Sequence, residues 1–214
     1  NSQNNIAMKK ILYILALSVT LTATNSAQAQ SLDALLKSLS SFFGSSEQEQ
    51  APAQPKITHP EAYELMGRWV FDGLVMDYTG DSSLAAVAIS TLESQLPTLA
   101  TKFNLVAGRD YINVNEDGSI VAVQGESKMT AYCTYYDSYS GEASLTFNFD
   151  GKSVSITATI IEQDGKTKVL FNANRLMNLL AQHYSKFNEN TTLQMAKTVI
   201  DSYPGIRVGA TMKR

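Results

Sequence analysis

The sequence predicts a mainly β fold with helical insertions, an antiparallel up-and-down β-barrel of about eight strands. Three observations carry this. From residue 67 onward, short segments alternate apolar and polar residues. Tight-turn residues separate most of them. Helical spacing breaks the series in only two places.

The first strand spans 67–78, where a two-residue period puts Trp69, Phe71, Gly73 and Val75 on one face. Strands follow near 109–115, 119–124, 127–136, 143–149, 153–162, 166–172 and 205–213. Asn115-Glu116-Asp117-Gly118, Tyr139-Ser140-Gly141, Asp150-Gly151 and Asp164-Gly165 lie between them. Asp-Gly suits a tight hairpin because Gly, and less readily Asp, accepts positive φ. Consecutive hairpins make a meander.

Several strands separate their faces well. Leu145, Phe147 and Phe149 oppose Ser144, Thr146 and Asn148. Val154, Ile156, Ala158 and Ile160 oppose Ser153, Ser155, Thr157 and Thr159. One dry face and one wet face is what a barrel wall requires. In 127–136, Met129, Ala131, Cys133 and Tyr135 form the inward set.

The first insertion, 82–104, carries Leu84, Val87, Ala88, Leu92, Leu96, Leu99 and Phe103 on one stripe, and Pro97 should kink or divide it. The second comprises 174–187, with Leu176, Leu179, Leu180, His183 and Phe187 on one face, and 191–203. The latter starts on Thr191-Thr192-Leu193-Gln194, a capping-box pattern, and stops at Pro204-Gly205.

Upstream of the domain, residues 8–29 read as a secretory signal peptide. Lys9-Lys10 precede an apolar run over 11–23, and Ala27-Gln28-Ala29 supplies a small-x-small cleavage site. No cysteine follows that site to take a lipid, so the expected product is exported, periplasmic or secreted, without a stable membrane span. Residues 30–56 hold a short amphipathic helix (31–43) and a polar linker (44–56). The barrel domain occupies 57–214. The helix at 31–43 is marginal alone and is a candidate contact for a protein partner.

With 17 basic and 20 acidic residues, the net charge is −3. This argues against a nucleic-acid surface, which needs clustered Lys and Arg. The lone cysteine, Cys133, cannot form an internal disulfide. Two histidines, His59 and His183, with no cysteine pair, give no metal-ligand spacing. Phosphate loops, dinucleotide fingerprints and a Gly-x-Ser-x-Gly elbow are absent. The expectation is therefore no enzyme, no cofactor and no metal. Tyr132, Tyr135, Tyr136 and Tyr139 cluster around one hairpin, where ordinary strand propensity explains them and stacking on sugars or partners is an alternative.

Gly67-Arg68-Trp69 at the head of the first strand resembles the Gly-x-Trp signature of the lipocalins and their calycin relatives. That resemblance implies that Gly67 and Trp69 close one end of the barrel. It also implies a basic side chain lying across the Trp, for which Arg207 or Lys213 is the candidate. The stretch 65–214 more specifically resembles an uncharacterised lipocalin-like family of exported bacterial proteins. The residues that carry this are Gly67-Arg68-Trp69, Gly108 with Asn115-Glu116-Asp117-Gly118, Val169 to Leu176, and Ser202-Tyr203-Pro204-Gly205-Ile206-Arg207-Val208-Gly209. The insertion at 82–104 departs from a typical lipocalin and resembles the helical lid of fatty-acid-binding proteins.

Two functions fit. One is carriage of a small apolar or amphipathic ligand, with Phe71, Tyr135, Phe147 and Phe149 around its apolar body and His183 as a polar contact. The other is a filled barrel acting as a non-catalytic interaction or structural protein of the envelope. A measurable cavity discriminates between them.

Overall fold

In the computed structural model, described for residues 57–80, 82, 89, 93, 96–102, 104–149, 152–183 and 191–214, eight strands close into one antiparallel barrel in chain order. The strands are β1 (Gly67–Tyr78), β2 (Tyr111–Val114), β3 (Ser119–Gln124), β4 (Ser127–Asp137), β5 (Glu142–Phe149), β6 (Lys152–Gln163), β7 (Lys166–Asn172) and β8 (Ile206–Lys213). β8 returns to pair with β1, with Phe71 opposite Met212 and Asp77 opposite Arg207. The signal at 8–29, the helix at 31–43 and the linker at 44–56 lie outside the described residues, as do Leu84, Val87 and Leu92 of the expected lid stripe.

Both helical insertions sit at the same end. The first joins the end of β1 to the start of β2 and includes α1 (Leu96–Lys102), with Pro97 in its first turn, where a missing N–H costs little. The second joins β7 to β8 through α2 (Ala173–His183) and α3 (Thr191–Ser202). Leu176, Met177 and Ile200 are fully buried. They pack with Ile89, Leu96, Val154, Ile156, Ile206 and Val208 into a core that stoppers this helix end. A smaller cluster of Trp69, Phe71 and Met212 holds the opposite end.

Hairpin chemistry follows the sequence. At Asp164-Gly165 both residues have positive φ, 54° and 70°, the conformation a two-residue type I′ turn needs.

Two β-bulges overturn the simple alternation. In β1 the register shifts between Phe71 and Gly73. The inward set is therefore Trp69, Phe71, then Leu74, Met76 and Tyr78, matching Met212, Ala210, Val208 and Ile206 across the pair, and not Gly73 and Val75. In β4 the register shifts between Cys133 and Tyr135. Cys133 stays opposite inward Leu145, but Tyr135 falls opposite outward Ser144. An extra residue in a strand moves everything after it to the other face. Tyr136, opposite fully buried Ala143, takes the inward place.

Candidate functional site: an apolar cavity inside the barrel

Inward side chains are not equally covered. Those of β6 (Val154, Ile156, Ala158 and Ile160) are buried. On β2, β3 and β5, Ile112, Val114, Ile120, Ala122, Leu145 and Phe147 point inward yet remain only half-buried. The cause is a cavity of about 290 Å³ between the two walls. Its lining includes Phe71, Leu74, Met129, Ala131, Phe147, Val169 and Phe171. The charged and amide-bearing lining residues, Asp110, Gln124 and Lys128, gather where β2 begins and the β3–β4 hairpin turns, at the helix end.

That rim is built around Asp110. Its side chain is buried and accepts from Val106 N–H (2.9 Å), Gly125 N–H (3.1 Å) and Arg109 Nε (2.6 Å). Burial opposes its ionisation, but the Arg109 guanidinium and the two backbone donors outweigh burial and hold the carboxyl below its ordinary range. One carboxylate thus ties the loop after α1 to the β3–β4 hairpin. A buried charge is tolerable here because every oxygen is paired.

The other end is closed by the segment before β1. Thr58 exchanges two backbone hydrogen bonds with Glu162. His59 lies half-buried against Gly141, where a Cβ would strike both the His59 ring and the Ile160 carbonyl. Tyr136 donates its hydroxyl to the Pro60 carbonyl at 2.5 Å, and burial together with the charges of Glu61 and Asp137 pushes its pKa up to about 12. A 3-10 turn, Ala62–Leu65, follows. Trp69 Nε1 donates to the Leu65 carbonyl at 2.7 Å.

Trp69 is thus buried at the barrel end, and the cation over its ring is Arg214, 4.8 Å from the centroid, which also donates to the Glu64 carbonyl. This corrects the assignment of Arg207 and Lys213. Antiparallel pairing with β1 carries Arg207 to the helix end, where its Nε donates to Asp77 at 3.0 Å. Lys213 points outward and pairs with Asp72 at 2.8 Å, beside Lys166 at 3.1 Å. Gly67 opens β1 with φ of 103°, a conformation favouring glycine.

Of the residues expected to touch a ligand, Phe71 and Phe147 line the cavity. Tyr135 does not: it is 56% exposed on the outer wall because of the β4 bulge. Phe149 ends β5 and His183 ends α2, but their side chains lie outside the described residues. Sequence reasoning placed Met129 on an inward face without assigning it to the ligand, and missed Val169 and Phe171 as lining residues, although both were legible by alternation. It also missed Asp110 and Arg214, whose roles depend on partners distant in sequence. Cys133 faces the cavity, where burial raises its thiol pKa.

The family described as Lipocalin-like domain (DUF4923) matches residues 39–214. The chain belongs to that family. The match covers the whole barrel and reaches upstream into the segment at 39–56, and it agrees with a closed, eight-stranded antiparallel wall. No curated protein and no solved structure matches the chain. In this lipocalin-like domain the Gly-x-Trp end is the closed end, and the rim at Asp110, Gln124 and Lys128 is the polar one.

Proposed function

We propose that this lipocalin-like domain binds one small apolar or amphipathic molecule inside its barrel, without catalysing a reaction on it. The observation that carries the reading is the cavity of about 290 Å³ with apolar walls and polar residues at one end. Ligand pockets begin near ~300 Å³, so the space suits a single small ligand. An apolar body would replace water against Phe71, Met129, Phe147 and Phe171, at roughly 25 cal/mol per Å² of surface covered. A polar head would lie at the rim near Lys128 and Gln124. The raised pKa of Cys133 favours the thiol over the nucleophilic thiolate, which supports a non-catalytic role. The filled-barrel alternative fits less well, because packed interiors leave few voids larger than a water molecule.

The reading includes export to the periplasm or medium, supported by Lys9-Lys10, the apolar run and Ala27-Gln28-Ala29. Among the described residues, no helix is long and apolar enough to cross a membrane. A protein contact through 31–43 also belongs to the proposal.

Binding is tested with an environment-sensitive apolar dye and a series of fatty acids. Wild-type protein should bind the dye and release it to a fatty acid. Phe147→Trp and Ala122→Phe, both of which fill the cavity, should bind at least tenfold more weakly while remaining folded. Wild-type protein that neither binds the dye nor gains thermal stability from any lipid tested would return the filled barrel to first place.

A further inference from the structure

The outer face of β4, β5 and β6 has a composition that the interior cavity does not explain. The bulge that expels Tyr135 from the barrel places it on the same outer face as Tyr132, and the two rings are 56% and 52% exposed. Register then extends each tyrosine into a rung of hydroxyls. Tyr135 lies opposite Ser144, which lies opposite Thr157; Tyr132 lies opposite Thr146, which lies opposite Ser155. Thr146 Oγ1 and Ser155 Oγ are 2.8 Å apart. Neither rung contains a charged residue.

The first rung ends in a groove of about 240 Å³. Its polar walls are Ser144, Ser155 and Thr157 from the sheet and Arg175, Asn178 and Gln182 from α2, with Ile156 and Leu179 supplying apolar surface between them. Arg175 Nη1 donates to Thr157 Oγ1 at 3.0 Å, so the guanidinium is held against the hydroxyl row. The groove thus offers hydroxyls that donate or accept, two planar amides and one guanidinium.

We infer that this face is a second binding site, for a neutral polysaccharide. Sugar rings present C–H faces that stack on exposed aromatic rings and hydroxyls that exchange hydrogen bonds with Ser, Thr, Asn, Gln and Arg. The two rungs are about 7 Å apart along the strands, so Tyr132 and Tyr135 can serve neighbouring units of one chain. The other large classes fit less well. A lipid surface would strip water from the hydroxyl rows and from the Arg175 guanidinium, whose remaining donors and acceptors it could not satisfy. A nucleic acid would need a basic stripe, and Arg175 is the one cation on these rungs and their groove. This site is separate from the barrel interior, and its test does not depend on the dye experiment.

The test is affinity gel electrophoresis of the whole protein through four soluble neutral polysaccharides: an α-glucan, a β-glucan, a xylan and a mannan. Retardation by at least one is expected. The double substitution Tyr132→Ala with Tyr135→Ala should weaken it at least tenfold and leave dye binding in the barrel unchanged. Ser155→Arg should also weaken it, by filling the groove without touching either tyrosine, which keeps the test decisive if the double variant folds poorly. Mobility unchanged in all four, or retardation that survives both variants, overturns the inference. So does a concentration-dependent dimer that the tyrosine substitutions abolish, because the face would then be a self-association surface.

Discussion

Trp69 shows how much one residue does when its neighbours are supplied by three parts of the chain. Its ring is buried at 7% exposure, its indole N–H meets the Leu65 carbonyl, and Arg214 covers its face. Trp69→Ala should cost about 3–5 kcal/mol in denaturant melts, the range for large aromatic deletions from a core. Arg214→Ala should cost less and be coupled to Trp69→Ala in a double-mutant cycle, whereas Arg207→Ala should add independently, since Arg207 pairs with Asp77 at the other end. Coupling to Arg207 instead would contradict the geometry. Tyr136 makes a pH prediction. Its folded pKa of about 12 stands above the ordinary ~10, so the folded state holds the proton longer. Its contribution to stability is full below about pH 10 and is lost as pH rises toward 12. Tyr136→Phe should be less stable at neutral pH and should show a shallower alkaline loss in the same window, read by urea melts at stepped pH.

At the scale of elements, Asp110 is the joint between the loop after α1 and the β3–β4 hairpin. Its lowered pKa means that its contribution is full above the unfolded value near 3.9 and disappears as pH falls through the folded one. Asp110→Asn should therefore destabilise at pH 7, and the gap from wild type should close on acidification below about pH 4. A gap independent of pH would mean that packing, not charge, holds the joint. The segment at 57–66 is a second joint. It bonds to Glu162, Tyr136 and Trp69, and Pro60 is fully buried. A chain starting at 57 should melt within a degree or two of one starting at 30. A chain starting at 67 should be much less stable, because the carbonyls of Pro60 and Leu65 no longer satisfy Tyr136 and Trp69. Calorimetry on the two truncations checks this.

The whole molecule is a barrel with unequal ends. One is sealed by an apolar cluster, a strap and a cation over Trp69. The other is roofed by helices and carries the polar rim of the cavity. The fold places the cavity beside β2 and β3, which are the short strands, while the inward Val154, Ile156, Ala158 and Ile160 of the long β6 are buried. Ligand binding should therefore respond to changes on β3 and β5, such as Ala122→Val, more than to equal volume changes on β6. Dye titration of Ala122→Val against Ala158→Val separates the two walls.

The Trp end was implied only by the resemblance of Gly67-Arg68-Trp69 to the lipocalin signature. Strand number, strand order and the two helical interruptions were legible from sequence because they are set by local periodicity and turn chemistry, as at Asp164-Gly165 and Leu145-Thr146-Phe147. Those patterns repeat every two or four residues and need no distant partner. Which face a residue takes after a bulge was decided only in three dimensions. Nothing near Thr134 or Asp72 marks an extra residue, and the shift is visible only against the register of the facing strand. The same holds for Arg214 over Trp69, for Asp110 with Gly125, and for the cavity itself. Bulky inward residues can fill a barrel or leave a gap, and that outcome depends on how opposite walls meet across the interior, a distance that no spacing along the chain records.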